Sequence, residues 1–477
     1  MTDIKFGTDG WRGLIADDFT FANVRRVGNA IANYVHKHED AKKGLLIAYD
    51  TRFGSRRFAE AISDTIAASG IDVQLADDYT PTPALSYAVK KHGAAGGVMI
   101  TSSHNPAGWN GVKYKAGYGG SATPAIVKSI EGYLDVRLPN SGAGKITPVD
   151  FKAEYVAALK AFVDVPAIAK ANFKFVIDPM YGAGRQVLSG IFSEHGIKHV
   201  EIRGNVDPLF GGVNPEPILP HVKACQQAVV KEKANAGLVT DGDADRIGAV
   251  AEDGSFVDAH KCYAVMLQWL LEKRDWPGAV TRAFNTTRML DRIAKKYGRE
   301  LIEHGIGFKY VCDVVLSGKE VLIGGEESGG IGLPRHLPER DGILNSLILA
   351  AIMAEYGKSL GRLVQRLQEE YGGHYYGRRD LHLNDEEKAS AIRRATARPA
   401  KIGAYTVQKV EDLDGIKFFL DAPTNGNGAE AWVLVRASGT ERLLRVYCEA
   451  ASPQLVDDIL AATEAFVYEK EAAQKRA

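Results

Sequence analysis

Three times along the chain a short apolar run leads into a polar turn, a segment with helical spacing of apolar positions, and a second apolar run. The first instance has runs at 45–48 and 71–75 around Asp50-Thr51-Arg52 and a helix reaching residue 68. The second passes from 173–177 through Asp178 and Tyr181-Gly182-Ala183-Gly184 to a helix ending near residue 194 and a run at 197–202. The third joins 279–284 to 300–303 through Asn285-Thr286-Thr287 and a helix to residue 297. Apolar runs of strand length alternating with helical periods predict βαβ units in parallel or mixed sheets. Three such units predict three related α/β domains.

Punctuation by Gly, Pro, Asn and Ser marks the joints. Leu138-Pro139-Asn140-Ser141-Gly142-Ala143-Gly144 is the clearest, and after it a helix at 151–163, closed off by Pro166, begins a new unit. Tyr371-Gly372-Gly373-His374, a candidate hinge, separates a helical stretch at 343–370 from a C-terminal part without the repeated pattern. Strand-like runs at 431–435 and 445–448 and a final helix from Pro453 predict a fourth, smaller α+β domain there. The predicted division is 1–148, 149–253, 254–372 and 373–477.

Composition agrees with this division. At about 150 residues per domain, 477 residues suggest about three domains, with two or four as neighbours. Lys+Arg and Asp+Glu both number 59, so the chain is neutral and no polyanion-binding surface, hence no nucleic-acid partner, is expected. The start, Met1-Thr2-Asp3-Ile4-Lys5-Phe6-Gly7, does not have the basic and then apolar pattern of a signal peptide. The longest apolar stretches, such as 263–271, are broken by polar residues well short of the roughly 18 residues that span a bilayer. A cytoplasmic protein without a membrane partner is expected. Cys225, Cys262, Cys312 and Cys448 have no paired spacing and are expected to be reduced core residues.

Asp241-Gly242-Asp243-Ala244-Asp245-Arg246 sets three carboxylates at alternate positions, where they repel one another unless a cation lies between them. A strand would hold them on one face but apart along the chain, and a helix would scatter them. A curled loop, allowed by the small Gly242 and Ala244, lets all three reach one ion, and an all-oxygen set suits Mg2+ or Ca2+. An EF-hand would also place Asp at these positions and an acid at Glu252, but it needs Gly where Arg246 stands and helices where strand-like runs flank the loop. The pattern favours bound Mg2+ over a solvated acidic turn.

Four other segments carry chemistry or ordinary turns. Thr101-Ser102-Ser103-His104-Asn105-Pro106 follows the run at 97–100, on the kind of loop where α/β sites gather. Its Ser residues need a base or metal to act as nucleophiles, and the same residues also make a good turn. Lys113 and Lys115 add cations downstream. Gly324-Gly325-Glu326-Glu327-Ser328-Gly329-Gly330 offers a carboxylate and a hydroxyl to neighbouring sugar hydroxyls, or is a plain glycine-rich turn. Arg436-Ala437-Ser438-Gly439-Thr440-Glu441-Arg442 has the inventory of an anion nest with an Arg fork. Phe6-Gly7-Thr8-Asp9-Gly10-Trp11-Arg12-Gly13 surrounds Arg12 with glycines; Arg12 is a phosphate contact or the ion-pair partner of Asp9.

Taken in this order, the five motifs resemble those of the α-D-phosphohexomutase family, the phosphoglucomutases and phosphomannomutases, over nearly the whole chain. The resemblance implies four domains around a central cleft, the first three α/β with mixed sheets. It implies reversible phosphate transfer between C1 and C6 of a hexose, glucose first, through a phosphoserine and a hexose 1,6-bisphosphate that is both intermediate and activator. By the same resemblance Ser103 is the phosphoserine, and Asp241, Asp243, Asp245 and the Ser103 phosphate hold one Mg2+. Arg12, Lys113 and Arg246 line the reacting centre; Glu326 and Ser328 bind sugar hydroxyls; Arg436, Ser438, Gly439 and Thr440 hold the phosphate that is not reacting. His104, Gly307, Lys309 and Arg340 are further implied substrate contacts. Hexose phosphates are the implied partners, and the chain is expected to be a monomer or homodimer.

Two departures stand out. Ala437 replaces a Pro found in many relatives, and Gly330 stands where many mannose-active relatives have a His that can accept a proton. His336, Arg340 and Lys113 are then the candidate bases. Competing readings are a phosphomannomutase or phosphoglucosamine mutase of the same mechanism, a metal-dependent phosphatase, and a non-catalytic sugar-phosphate-binding regulatory protein.

Overall fold

The structure is a computed structural model that describes residues 4–7, 10–137, 142–437 and 443–469. Its first domain runs β1 (Trp11–Leu14), α1 (Phe21–His38), β2 (Leu45–Tyr49), α2 (Ser55–Ala67), β3 (Val73–Ala76), α3 (Thr82–His92), β4 (Gly96–Ile100), β5 (Trp109–Ala116), α4 (Pro124–Glu131) and β6 (Ile146–Val149). The strands form one sheet in the order β1-β5-β4-β2-β3-β6. Strand β2 is parallel to β3 and β4, whereas β5 is antiparallel to β4 and β1. Both β2 and β4 are buried along their whole length, so they read as unbroken apolar runs without alternation. The glycine-rich joint does not end this sheet, because β6 follows it and pairs parallel to β3.

The second domain has α5 (Lys152–Phe162), α6 (Val165–Lys170), β7 (Lys174–Asp178), α7 (Val187–Glu194), β8 (Lys198–Glu201), α8 (Lys223–Glu232), β9 (Ala236–Thr240), β10 (Ile247–Ala251) and β11 (Phe256–Val257). Its sheet order is β11-β10-β9-β7-β8, with β7 parallel to β8 and β9 and β10 antiparallel to β9 and β11. Pro166 opens a helix and does not close one: it occupies the first turn of α6, where no N–H is needed, and the Asp164 side chain caps that helix by accepting from Ala167 N. Strand β11 carries the sheet past residue 253.

The third domain contains α9 (Ala259–Trp269), β12 (Ala279–Ala283), α10 (Met289–Lys296), β13 (Leu301–His304), α11 (Lys309–Leu316), β14 (Val321–Gly325), β15 (Ile331–Gly332), α12 (Gly342–Tyr356) and α13 (Leu360–Tyr371). Strands β12, β14 and β15 share a sheet in which β14 and β15 are antiparallel. The helix expected over 343–370 is two helices. Gly357, at φ +60°, ends α12 in the left-handed cap that favours glycine, its N–H returning to Ala354 O.

The fourth domain has β16 (Tyr375–His382), α14 (Asp385–Thr396), β17 (Lys401–Ile402), β18 (Tyr405–Glu411), β19 (Ile416–Leu420), β20 (Trp432–Ala437), β21 (Leu443–Ala450) and α15 (Pro453–Tyr468). Its strands form an antiparallel sheet in the order β16-β21-β20-β19-β18-β17. The chain thus has three α/β domains with mixed sheets and a smaller C-terminal domain. By compactness it divides into two units, Met1–Thr281 with Gly307–Val364, and Arg282–Ile306 with Gln365–Ala477. Among the described residues no single helix is long and apolar enough to cross a membrane.

Candidate active site

In the first unit the same local architecture occurs three times: a buried strand, a polar loop, and an antiparallel return strand. The loops are 101–108 between β4 and β5, 241–246 between β9 and β10, and 326–330 between β14 and β15. Each loop leaves a strand at its carboxyl end, where backbone groups are no longer used by the sheet and side chains can converge.

The loop 241–246 curls as its spacing demands. Ala244 lies at φ +61°, and Gly242 packs so closely that a Cβ would sit 2.5 Å from Ser103 O. Carboxylate oxygens of Asp241, Asp243 and Asp245 then lie within 4.8 Å of one another, and all three residues are buried. Ser103 Oγ donates to Asp241 Oδ2 at 2.7 Å. Lys113 Nζ, from β5, reaches Asp243 Oδ2 at 2.8 Å and Asp245 Oδ2 at 3.1 Å. Arg340 Nη2 contacts Asp245 Oδ2 at 2.9 Å, and Arg246 Nε stands 3.9 Å from Asp241 Oδ2 and 3.8 Å from Asp245 Oδ1.

Three buried carboxylates facing three cations set the electrostatics. Burial and the like charges of Asp243 and Asp245 push the Asp241 carboxyl well above its usual range. Burial also acts to raise Asp243, but the Lys113 ammonium and hydrogen bonds from Lys113 and Thr82 outweigh it and hold that carboxyl down. Arg246 is the converse case: burial would lower it, yet Asp241 and Asp245 raise it. Asp243 Oδ1 and Asp245 Oδ1 are buried without a hydrogen-bond partner. Orphaned carboxylate oxygens in a compact all-oxygen cluster fit a hard divalent cation.

The loop 326–330 faces the same cluster through Arg340, whose Nη1 stands 3.6 Å from Glu326 Oε2. Gly330 makes room for that arginine, because a Cβ there would lie 2.4 Å from Arg340 Cδ. Burial pushes the Glu326 carboxyl up to about 7. Glu326 Oε2, Glu327 Oε2 and Ser328 Oγ are buried without a hydrogen-bond partner, a set able to receive ligand hydroxyls. Arg12 Nη1 donates to Asn105 Oδ1 at 2.6 Å, and His104 Nδ1 stands 3.5 Å from Ser103 Oγ, at the outer limit of a hydrogen bond.

The remaining expected residues have contacts of their own. Lys309 begins α11, two residues after Gly307 (φ +139°), and its ammonium lies over the Tyr310 ring. His336 is enclosed, stacked on Tyr87 and set edge-on to Phe162, and burial lowers its imidazole to about 4. Its ring is therefore part of the packing. In the second unit Arg436 Nε donates to Asp414 Oδ1 at 2.8 Å. Ser438, Gly439 and Thr440, like Thr8 and Asp9 of the first motif, lie outside the described residues.

Two contributors carry no motif signal. Thr82 Oγ1, at the start of α3, donates to Asp243 Oδ2 at 2.6 Å. The turn Asp50-Thr51-Arg52 reads as a plain strand exit, yet its buried side chains bond to the Ser103 loop. Only the apolar run before Asp50, which places the turn at a strand's carboxyl end, hints at this.

Models of the phosphoglucomutase/phosphomannomutase domains match the chain in order: alpha/beta/alpha domain I over residues 3–137, domain II over 153–254, domain III over 258–371 and the C-terminal domain over 392–465. A phosphoglucomutase/phosphomannomutase of Thermococcus kodakarensis is 30% identical over 459 residues, covering 95% of this chain and 96% of its own. A phosphoglucosamine mutase of Caldicellulosiruptor bescii is 32% identical over 462 residues, covering 93% and 94%. A solved protein from Thermus thermophilus, described as a candidate phosphomannomutase, superposes with a TM-score of 0.84 at 35% identity, covering 98% and 99%.

Proposed function

We propose, since this chain belongs to the phosphoglucomutase/phosphomannomutase family, that it interconverts hexose 1-phosphate and hexose 6-phosphate, with glucose the preferred sugar. The observation that carries the reading is Ser103 Oγ at 2.7 Å from Asp241, beside a carboxylate cluster charge-balanced by Lys113, Arg246 and Arg340. A phosphoserine at Ser103 would begin and end each cycle. The Oγ–P bond breaks as a bond forms from phosphorus to O6 of the sugar, whose hydroxyl proton leaves to a base. The resulting hexose 1,6-bisphosphate turns around; its O1–P bond breaks as phosphorus bonds to Ser103 Oγ, and O1 takes up the proton held by the base, which leaves hexose 6-phosphate and the phosphoserine.

The chain's own residues divide this work. Asp241, Asp243 and Asp245 would hold one Mg2+, which supplies charge that offsets the transferring phosphoryl oxygens. Arg246 and Arg12 add fixed positive charge around Ser103, while Lys113, paired as an ammonium with Asp243 and Asp245, would have to give up its proton before it could act as the base. Glu326 and Ser328 bind sugar hydroxyls, while Arg340 orients Glu326. Arg436 with Ser438, Gly439 and Thr440 holds the phosphate that is not reacting, with either end of the bisphosphate as its ligand.

Glucosamine is the second reading, favoured by the 32% identity to a phosphoglucosamine mutase. Glu326 and Ser328 are expected at O3 and O4 and do not discriminate at C2. The deciding experiment assays glucose 1-phosphate, mannose 1-phosphate and glucosamine 1-phosphate side by side. The highest kcat/KM for glucose 1-phosphate supports the proposal; a higher value for either competitor replaces it, and phosphate release without isomerisation would make the chain a phosphatase.

A further inference from the structure

Beneath the Ser103 loop lies a buried network that takes no part in the chemistry above. Asp50 Oδ1 accepts from Arg52 N at 3.0 Å and from Ser55 Oγ at 2.7 Å. Asp50 Oδ2 accepts from Thr101 Oγ1 at 2.6 Å and faces Arg52 Nε at 3.2 Å. Thr101 Oγ1 in turn accepts from Ser103 N at 2.9 Å. The other guanidinium donors of Arg52 go to carbonyls of the Ser103 loop and of the first residue of β5: Nη2 to Ser103 O and Asn105 O, both at 2.6 Å, and Nη1 to Pro106 O at 2.8 Å and Trp109 O at 3.1 Å. The Phe210 ring, centred 4.8 Å from Arg52 Cζ, covers the guanidinium.

Every guanidinium nitrogen of Arg52 thus faces a protein oxygen, its side chain is 0% exposed, and Asp50 offsets its charge. None of its donors is exposed to hold a substrate. What it fixes is the loop backbone. Ser103 sits at φ +51°, in the left-handed region that residues with a side chain seldom adopt. Its carbonyl is held between Arg52 and the close-packed Gly242, and its N–H is held by Thr101. With both peptide groups tied, Ser103 Oγ points at Asp241.

We propose that Arg52 and Thr101, joined through Asp50, are positioning residues that hold Ser103 in this conformation for in-line phosphoryl transfer. The inference rests on the mutase reading. Transfer to and from one serine oxygen demands the same placement in both half-reactions, and an error near 1 Å costs about 100-fold in rate.

Thr101→Val keeps the side-chain shape but loses the acceptor for Ser103 N and the donor to Asp50, whereas Thr101→Ser restores the hydroxyl. Arg52→Lys keeps the charge, but three ammonium donors do not satisfy four carbonyls and Asp50. With glucose 1-phosphate, T101V should lower kcat about 100-fold while KM stays within about threefold, and T101S should recover to within about threefold of the parent. R52K should fall at least as far. Melting curves for each variant correct for unfolded protein, and peptide mapping gives the phosphorylated fraction of Ser103. A T101V enzyme with parental kcat per folded molecule, or one that loses only KM, overturns the inference whether or not R52K folds. Parental protein without turnover, or fully active S103A, overturns the mutase reading together with this inference. An active parent, inactive S103A and undiminished T101V overturn this inference alone.

Discussion

Ser102 and Ser103 are adjacent buried hydroxyls with different surroundings: Ser103 Oγ donates to Asp241, whereas Ser102 Oγ has no hydrogen-bond partner. Phosphoryl transfer needs near-linear attack, so only the oxygen already aimed at the carboxylate cluster can serve. S103A should abolish turnover and the covalent phosphate, while S102A should stay within about tenfold of the parent; peptide mapping that locates phosphate on Ser102 would refute the assignment. Asp243 is held ionised by Lys113 and Thr82. D243N removes one anionic ligand from a site where charge count sets affinity, so the Mg2+ concentration for half-maximal activity should rise about tenfold or more, with partial rescue at high Mg2+. Unchanged activity of the chelator-treated parent would sink the metal assignment. At this scale the three Asp residues are legible in the sequence because their repulsion demands a cation. Thr82 is not, since nothing in a helix-start threonine reports that a carboxylate from 161 residues away will meet it.

Elements are legible where apolar periodicity is strong and turn chemistry is unambiguous, as with β2, α2, β7, α7 and α10. Pro166 misleads because a proline closes one helix and opens the next with equal ease, and only the Asp164 cap shows which. The knot that joins β21 to its neighbours leaves no sequence signal at all. Glu449, 1% exposed, accepts from Thr287 Oγ1, from Arg288 N at 3.0 Å and from Trp432 Nε1 at 3.1 Å, and pairs with His374 Nδ1 at 3.2 Å. Burial alone would raise its carboxyl, but His374 and these hydrogen bonds hold it down at about 2. A depressed carboxyl stabilises the fold above its unfolded value of 4.5, and that contribution is lost as pH falls from 4.5 through about 2. E449Q puts an amide where donors converge and should cost ~3 kcal/mol in urea unfolding at pH 7. The gap between the two proteins should close as pH drops across that window; a gap independent of pH would show that the carboxylate charge is not what the knot uses. The same contacts bear on the expected hinge at 371–374, since His374 is tied to Glu449 and Arg292 Nη1 donates to Tyr371 O at 2.6 Å.

On the scale of the whole molecule, the two compact units divide the candidate chemistry between them. Ser103, the three Asp residues, Lys113, Arg246, Arg340, Glu326 and Ser328 all belong to the first unit, and Arg436 belongs to the second. The four-domain organisation is legible from the repeated strand, turn and helix pattern; the grouping of Arg282–Ile306 with the C-terminal domain is not, because it depends on tertiary contacts such as Ile306 N to Asp414 Oδ2 at 2.8 Å. Asp414 also accepts from Arg436, so one carboxylate fixes both the guanidinium and the backbone at residue 306. If Arg436 holds the phosphate that is not reacting, its removal deletes a charge-assisted contact worth about 1.5–3 kcal/mol, which is about 10- to 100-fold in binding. R436A should therefore raise KM for glucose 1-phosphate by that factor. Mg2+ affinity, measured by calorimetry, should not change, because every carboxylate ligand lies in the first unit. D414N, which leaves Arg436 present but less well oriented, should raise KM by less. A variant R436A with parental KM would remove this arginine from substrate binding, and one with weakened Mg2+ affinity would show that its effect is not confined to the substrate phosphate.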